Sequence, residues 1–221
     1  MNLLSVLEDE SNHGENVGMS QYYIIEYCLI CDITQAYLLE AKWCKEGYIP
    51  TYDEYKINGI ITSTFTVQIT SFIALGDFAT KDVFDWISSN PNNIKAASII
   101  GRVMDDMASH NFEQKRVHVA SAVECCIKQH GISEEEAYEL INKDVKQCWK
   151  IINEEYLMKP NYIPNYVLDC VANLARMCEL VYQNREDKYT DEKLMKDYVF
   201  SMLVDPVCIN LHHQHEKLSL I

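Results

Sequence analysis

The chain has 221 residues, 48% of them apolar and 24% charged, so it can bury a core within one domain and does not have the composition of a disordered protein. Its formal net charge of −14 excludes binding to nucleic acid or to an anionic membrane through the overall field of the protein. With only 7 glycines and 5 prolines, few turns are expected, and long helices are favoured over a many-stranded sheet.

Residues 1–20, which we interpret as a helix end and a loop, contain no targeting signal. Their carboxylates fit neither a basic signal-peptide start nor an acid-poor transit peptide. The longest apolar run, residues 22–31, is interrupted by Glu26 and is too short to span a bilayer. Nine cysteines, an odd number, are typical of a reducing compartment rather than of a disulfide framework. We therefore expect a cytoplasmic protein without a membrane span.

Apolar residues recur every three to four positions along the chain and predict helices joined by short breaks. The stretch TSTFT at 62–66 is a predicted break, because small and β-branched hydroxyl residues have weak helix propensity. Neither an internal repeat nor a hairpin signal is visible, so the predicted fold is an all-α bundle. The predicted helices span residues 21–46, 52–61, 67–75, 81–88, 91–115, 117–130, 134–157, 165–183 and 191–204.

The stretch RVMDDMASHNFEQKR at 102–116 carries an unusual set of charges within one predicted helix. At about 100° per residue, five side chains share a stripe narrower than a quarter-turn, with Asp106 at its edge. The five are Arg102, Asp105, Ser109, Glu113 and Arg116. The stripe offers three oxygen ligands, which suit Mg²⁺, and two guanidiniums, which suit phosphate.

The alternative interpretation of this stripe is a solvated surface with ion pairs between residues three positions apart. The preceding segment AASIIGRVMDDMA, at 96–108, is small and apolar almost all round, which is typical of a buried helix. A polar stripe in such a helix favours an internal cavity.

GRVMDDMASHNFEQKR, at 101–116, resembles the second metal-binding motif of class I plant terpene synthases, (Asn/Asp)-Asp-x-x-(Ser/Thr)-x-x-x-Glu. Further segments are similar to plant sesquiterpene synthases, and together they cover about residues 21–207. They are EAKWCKEGYIPTYDEY, TSTF, DWISSNP, VECCIKQHGIS, NLAR and DKYTDEK.

The resemblance implies a class I terpenoid synthase helical bundle, present in part, that acts on a prenyl diphosphate such as farnesyl diphosphate. It implies three Mg²⁺ ions, with Mn²⁺ as an alternative, and a monomeric enzyme that ionises the substrate and cyclises the carbocation. Asp105, Ser109 and Glu113 would bind one metal ion, and Asp105 and Arg102 would contact the substrate diphosphate. Arg116 is predicted to bind the substrate because it falls on the same stripe of the helical wheel as Arg102 and Asp105.

The resemblance also implies roles at two other places. Thr62, Ser63 and Thr64 would lie at a helix break whose carbonyls face the carbocation. Tyr182, Asp187 and Tyr189 match pocket and lid positions, with ordinary packing as the alternative interpretation of the tyrosines.

The sequence departs from the family pattern before Asp105, where no Asp-Asp-x-x-Asp motif occurs. Residues 1–221 are therefore expected to be the C-terminal portion of the metal-binding catalytic domain, without the N-terminal domain and the first aspartate-rich motif, and to be inactive alone. The alternative function is a non-catalytic helical remnant that binds an apolar ligand or a protein partner. A chain-elongating prenyltransferase would need two Asp-Asp-x-x-Asp motifs, which the sequence lacks.

Overall fold

A computed structural model describes residues 17–76 and 79–205, and over these residues it contains helices and no strand, which confirms the all-α prediction. The side chains of residues 17–21 and 192 are outside the description. Nine α-helices occur in the described ranges: α1 (Val17–Glu46), α2 (Tyr52–Thr62), α3 (Phe65–Ala74), α4 (Lys81–Ser88), α5 (Asn92–Glu113), α6 (Ala122–His130), α7 (Glu134–Met158), α8 (Asn165–Val181) and α9 (Glu192–Leu203). A short 3₁₀ turn, Gln183–Arg185, follows α8.

Two predicted helix starts differ from the structure by more than two residues. Helix α1 begins at Val17, so residues 17–20, interpreted as loop, are helical. Ser20, a residue type that often caps helices, lies within α1 and does not start it. Residues 1–16 lie outside the described residues. The predicted helix 117–130 is wrong in its first part, because Ser121 and Glu124 form a capping box that starts α6 at Ala122.

Helix α5 is the central helix of residues 17–187 and packs against α2, α3, α6, α7 and α8. Its contact with α3 depends on Gly101, where an added Cβ would lie 2.4 Å from the ring of Phe65. A similar close approach occurs at Gly59 in α2, where a Cβ would lie 3.0 Å from Cγ of Arg102. The two glycines thus let α2 and α3 meet α5 side by side, with the break between them beside Arg102.

The break between α2 and α3 is strained. Thr64 has φ 62° and ψ 4°, in the left-handed region, which a β-branched residue rarely adopts. Residues 52–74 are together long and apolar enough to cross a membrane by length and composition, although 39% of their apolar stretch is buried within the protein. The break divides them into helices of 11 and 10 residues, each shorter than the roughly 20 residues that a helical span needs.

The chain divides into two compact units, Met1–Asp187 and Lys188–Ile221. In the described part of the second unit, α9 begins after Asp191, whose side chain accepts a hydrogen bond from the backbone of Lys193. The ammonium of Lys188 lies 5.4 Å from the ring centre of Tyr198 in the same unit.

Candidate functional site

Four of the five residues of the predicted polar stripe lie on α5 and are half-buried, whereas Arg116 lies beyond the end of the helix and is exposed. Nη1 of Arg102 lies 3.8 Å from Oδ2 of Asp105 and 3.7 Å from Oδ1 of Asp106. The alternative interpretation, a solvated surface with ion pairs between residues three positions apart, predicts the pair of Arg102 and Asp105. The Arg102 side chain is however 19% exposed, so this part of the stripe is not a solvated surface. Ser109 and Glu113 follow at one-turn intervals, and both are half-buried.

The two predicted metal-binding carboxylates disfavour each other's charge. Burial raises the pKa of Asp105 to about 6, with Asp106 adding to the rise and Arg102 opposing it. Burial also raises the pKa of Glu113; His118 opposes this rise, and the charge of Asp105 adds to it. A cation between such groups would relieve both effects.

The donor set fits a hard divalent ion that keeps other ligands. Asp105, Ser109 and Glu113 supply two carboxylates and one hydroxyl, all oxygen donors. Among residues 17–76 and 79–205, no group of three His, Cys, Asp or Glu side chains is arranged to hold a metal ion. Water or phosphate oxygens would therefore complete the coordination, as Mg²⁺ commonly requires.

Arg102 connects α5 to the helix break. Its Nη2 donates to the carbonyl of Thr62 at 3.0 Å and approaches the Thr62 hydroxyl at 3.3 Å. The same carbonyl accepts a hydrogen bond of 3.1 Å from Tyr37, and the Thr62 hydroxyl donates to Glu40 at 2.8 Å. The buried Nε of Arg102 has no hydrogen-bond partner among the described residues. The break carbonyl predicted to face a carbocation therefore accepts two protein donors in this structure.

The other two residues of the break make local hydrogen bonds. The Ser63 hydroxyl donates to the carbonyl of Ile60 at 2.8 Å. The Thr64 hydroxyl accepts from the amide of Gln68 at 3.0 Å.

Of the three predicted pocket and lid residues, Tyr182 and Asp187 are close to Asp105. Burial, followed by the nearby charge of Asp105, raises the pKa of Tyr182. Asp187 raises the pKa of both groups, which places its charge near them. Tyr189 belongs to the second unit, where its side chain is 81% exposed.

Arg116 has a different position from the one predicted. Helix α5 ends at Glu113, so the wheel position of Arg116 is wrong, and its guanidinium lies 5.1 Å from the ring centre of Phe112. Arg116 nevertheless lines a polar cavity of about 310 Å³ together with Arg102 and Glu113. We call this the polar cavity; its other lining residues are Glu40, Tyr55, Asp106 and residues 117–121.

Asp106 is the residue whose role the sequence missed. It is 4% exposed, and its Oδ2 accepts hydrogen bonds from the Tyr55 hydroxyl at 2.6 Å and from the backbone N–H of Ala122 at 2.8 Å. Its position about 100° from Asp105 on the wheel points it into the core. The sequence did contain one signal for this contact. The capping box at 121–124 indicates that a new helix begins at Ala122, whose N–H donates to Asp106.

Comparison with known proteins gives one consistent family. The model of the "Terpene synthase family, metal binding domain" matches residues 1–151. Terpene synthase 1 of Citrus sinensis is 50% identical over 173 residues, covering 78% of this chain and 31% of the relative. (-)-Germacrene D synthase of Vitis vinifera is 49% identical over 177 residues, covering 79% and 31%. This chain thus spans about a third of the length of these curated relatives.

The similarity extends to solved structures. Isoprene synthase from grey poplar (Populus x canescens) matches with a TM-score of 0.74 and 25% identity, covering 92% of this chain and 37% of that one. The same enzyme in complex with three Mg²⁺ ions and dimethylallyl-S-thiolodiphosphate matches with a TM-score of 0.66 and 25% identity, covering 87% and 37%.

Proposed function

This chain belongs to the terpene synthase family, and from that premise we propose that its α5 face binds Mg²⁺ together with the diphosphate of a prenyl substrate. The substrate is farnesyl diphosphate. Its ionisation releases diphosphate and leaves an allylic carbocation, which cyclises and loses a proton to give a sesquiterpene. The observation that carries the proposal is the pair of half-buried carboxylates, Asp105 and Glu113, beside Arg102.

Each residue has a distinct task in this proposal. Asp105, Ser109 and Glu113 hold the metal ion through oxygen atoms, and Arg102 and Arg116 bind diphosphate oxygens. The metal, when bound, neutralises charge on the departing diphosphate. Tyr182, whose pKa responds to the charge of Asp105, orients the Asp105 carboxylate by donating a hydrogen bond to it. The grey poplar enzyme in complex with three Mg²⁺ ions and a diphosphate analogue supports the choice of ion and ligand class.

The metal site can be tested by binding, which does not depend on how much of an active site this chain contains. Isothermal titration of the chain with inorganic pyrophosphate should give heat in the presence of Mg²⁺ and not in EDTA. Asp105→Asn and Glu113→Gln should each weaken this binding about tenfold or more, because each removes a charged ligand. Glu139→Gln, at an exposed position of α7, is the matched control and should bind like the wild type. Wild-type affinity in both site variants would refute the metal site.

The substrate is tested by competition. Farnesyl diphosphate should displace pyrophosphate at lower concentration than geranyl diphosphate, because its longer chain buries more apolar surface. Equal competition by the two substrates would remove the reason for choosing farnesyl diphosphate.

We also propose that the protein is cytoplasmic and monomeric. Localising a tagged protein tests the first part, and light scattering tests the second.

A further inference from the structure

The polar cavity is closed on one side by residues 117–121, which turn back over the end of α5. Two buried side chains of α5, one turn apart, hold this segment. Asp106 accepts the backbone N–H of Ala122 at 2.8 Å, and Nδ1 of His110 lies 3.1 Å from the Ser121 hydroxyl. The segment is therefore fixed from beneath, and His118 within it has a defined position.

Both ring nitrogens of His118 face hydrogen-bond acceptors. Nδ1 lies 2.9 Å from the backbone carbonyl oxygen of Arg116, and Nε2 lies 3.0 Å from Oε2 of Glu124. A carbonyl oxygen can only accept, and so can an ionised carboxylate, so each ring nitrogen must carry a proton. An imidazole with two N–H groups is a cation.

The partner of His118 is held in its ionised form. Burial opposes the charge of Glu124, but hydrogen bonds from the Ser121 backbone, His118 and Gln114 lower its pKa. The Ser121 N–H donates to it at 2.9 Å. The Gln114 amide nitrogen, which can only donate, lies 3.3 Å from Nε2 of His118 and would favour an unprotonated Nε2. The Glu124 carboxylate is nearer, at 3.0 Å, and its charge favours the protonated nitrogen. Glu124 thus has the donors of a permanent anion.

The charge of His118 is partly shielded from water, because its side chain is 16% exposed. His118 and Glu113 line the same polar cavity. Burial and the positive charges of Arg102 and Arg116, which line the same cavity, act against the protonated form of His118. The charges of Glu124 and Glu113 and the hydrogen bond to the Arg116 carbonyl favour it.

We infer that His118 is a fixed imidazolium that adds a third positive charge to those of Arg102 and Arg116 in the polar cavity and thereby strengthens binding of the substrate diphosphate. This inference rests on the proposed function and extends its binding site by one residue. Because both N–H groups of His118 are used within the protein, the residue acts through its charge and not through a direct hydrogen bond to the anion.

The test is titration of the chain with inorganic pyrophosphate and Mg²⁺ at pH 7. His118→Gln keeps an N–H for Glu124 and removes the charge, so affinity should fall about fivefold, and the loss should shrink at high salt as charges are screened. His118→Lys should restore most of the lost affinity. His130→Gln, at the exposed end of α6, is the matched control and should bind like the wild type.

Wild-type affinity in His118→Gln would overturn the inference. Lost affinity that His118→Lys fails to restore would also overturn it, because it would show a structural role alone. A wild-type chain that binds no pyrophosphate with Mg²⁺ would overturn the proposed function and, with it, this inference. If His118→Gln does not fold, long-range ¹H–¹⁵N correlation spectra of the wild type decide the charge: two protonated ring nitrogens at pH 7 support the inference, and one refutes it.

Discussion

The Tyr55 hydroxyl donates a 2.6 Å hydrogen bond to Oδ2 of Asp106, and both side chains are buried. The same oxygen accepts the backbone N–H that opens α6. One carboxylate therefore joins α2, α5 and α6, which lie far apart along the chain. Hydrogen bonds to a buried charge are among the stronger ones, so this junction is expected to matter for stability.

Asp106→Ala should lower the free energy of unfolding by about 3 kcal/mol, because it leaves the Tyr55 hydroxyl, an N–H and part of the Arg102 charge without their partner. Asp106→Asn keeps an oxygen acceptor and should cost clearly less. Urea denaturation followed by circular dichroism measures both. Glu139→Ala, at an exposed site, serves as the control. If Asp106→Ala and Glu139→Ala lower the free energy of unfolding by similar amounts, Asp106 does not stabilise the protein through this junction.

Gly101→Ala should lower the free energy of unfolding by about 2 kcal/mol, since the new methyl group overlaps the ring of Phe65. Adding Phe65→Leu should recover part of the loss, because the clash is removed. Gly76→Ala is the comparison: its Cβ would be 3.7 Å from the nearest atom, an ordinary contact. Thermal melts of Gly101→Ala, Phe65→Leu, the double variant and Gly76→Ala test the prediction. Additive effects of Gly101→Ala and Phe65→Leu would contradict the steric overlap.

Thr64→Gly should stabilise the chain by about 1 kcal/mol, because glycine adopts the left-handed backbone without the steric strain of a β-branched residue. Thr64→Val keeps the branched shape and the strain. Both variants lose the hydroxyl that accepts from Gln68, so the difference between them reports the strain. The valine variant should be less stable than the wild type. Urea midpoints measure both variants, and a glycine variant less stable than the valine variant would refute strain at this position.

Lowering the pH from 7 to 5.5 should raise the thermal midpoint of the metal-free chain. The folded pKa values of Asp105 and Asp106 are each raised to about 6, mainly by burial, above the ordinary value of 3.8. The folded chain thus binds protons more tightly than the unfolded chain in this window, and stability rises as pH falls. The raised pKa of His118 acts in the same direction.

The pH effect can be assigned with variants measured at both pH values. Asp106→Asn should reduce the rise, because the asparagine amide does not titrate. Glu139→Gln, at an exposed position, should leave the rise unchanged. A midpoint that falls between pH 7 and 5.5 in the wild type would contradict the direction of these shifts.

The helices were predictable where their signals are local. Thr80, Ser133 and the capping box at 133–136 begin α4 and α7 where predicted, because a cap depends on residues three positions away. The start of α5 was displaced by one residue: Pro91, predicted as its first residue, is its N-cap, and the helix begins at Asn92. Such small shifts at helix ends are typical of local patterns.

The sequence by itself determined that the chain is helical and that Asp105, Ser109 and Glu113 share one helix face, since residues four apart on a helix lie on one side. The tertiary structure decided what surrounds that face. Asp106 became a buried junction, Arg116 moved to the polar cavity and His118 gained two acceptors because the chain turns back after Glu113. These outcomes depend on contacts between helices distant in sequence, which no local spacing encodes.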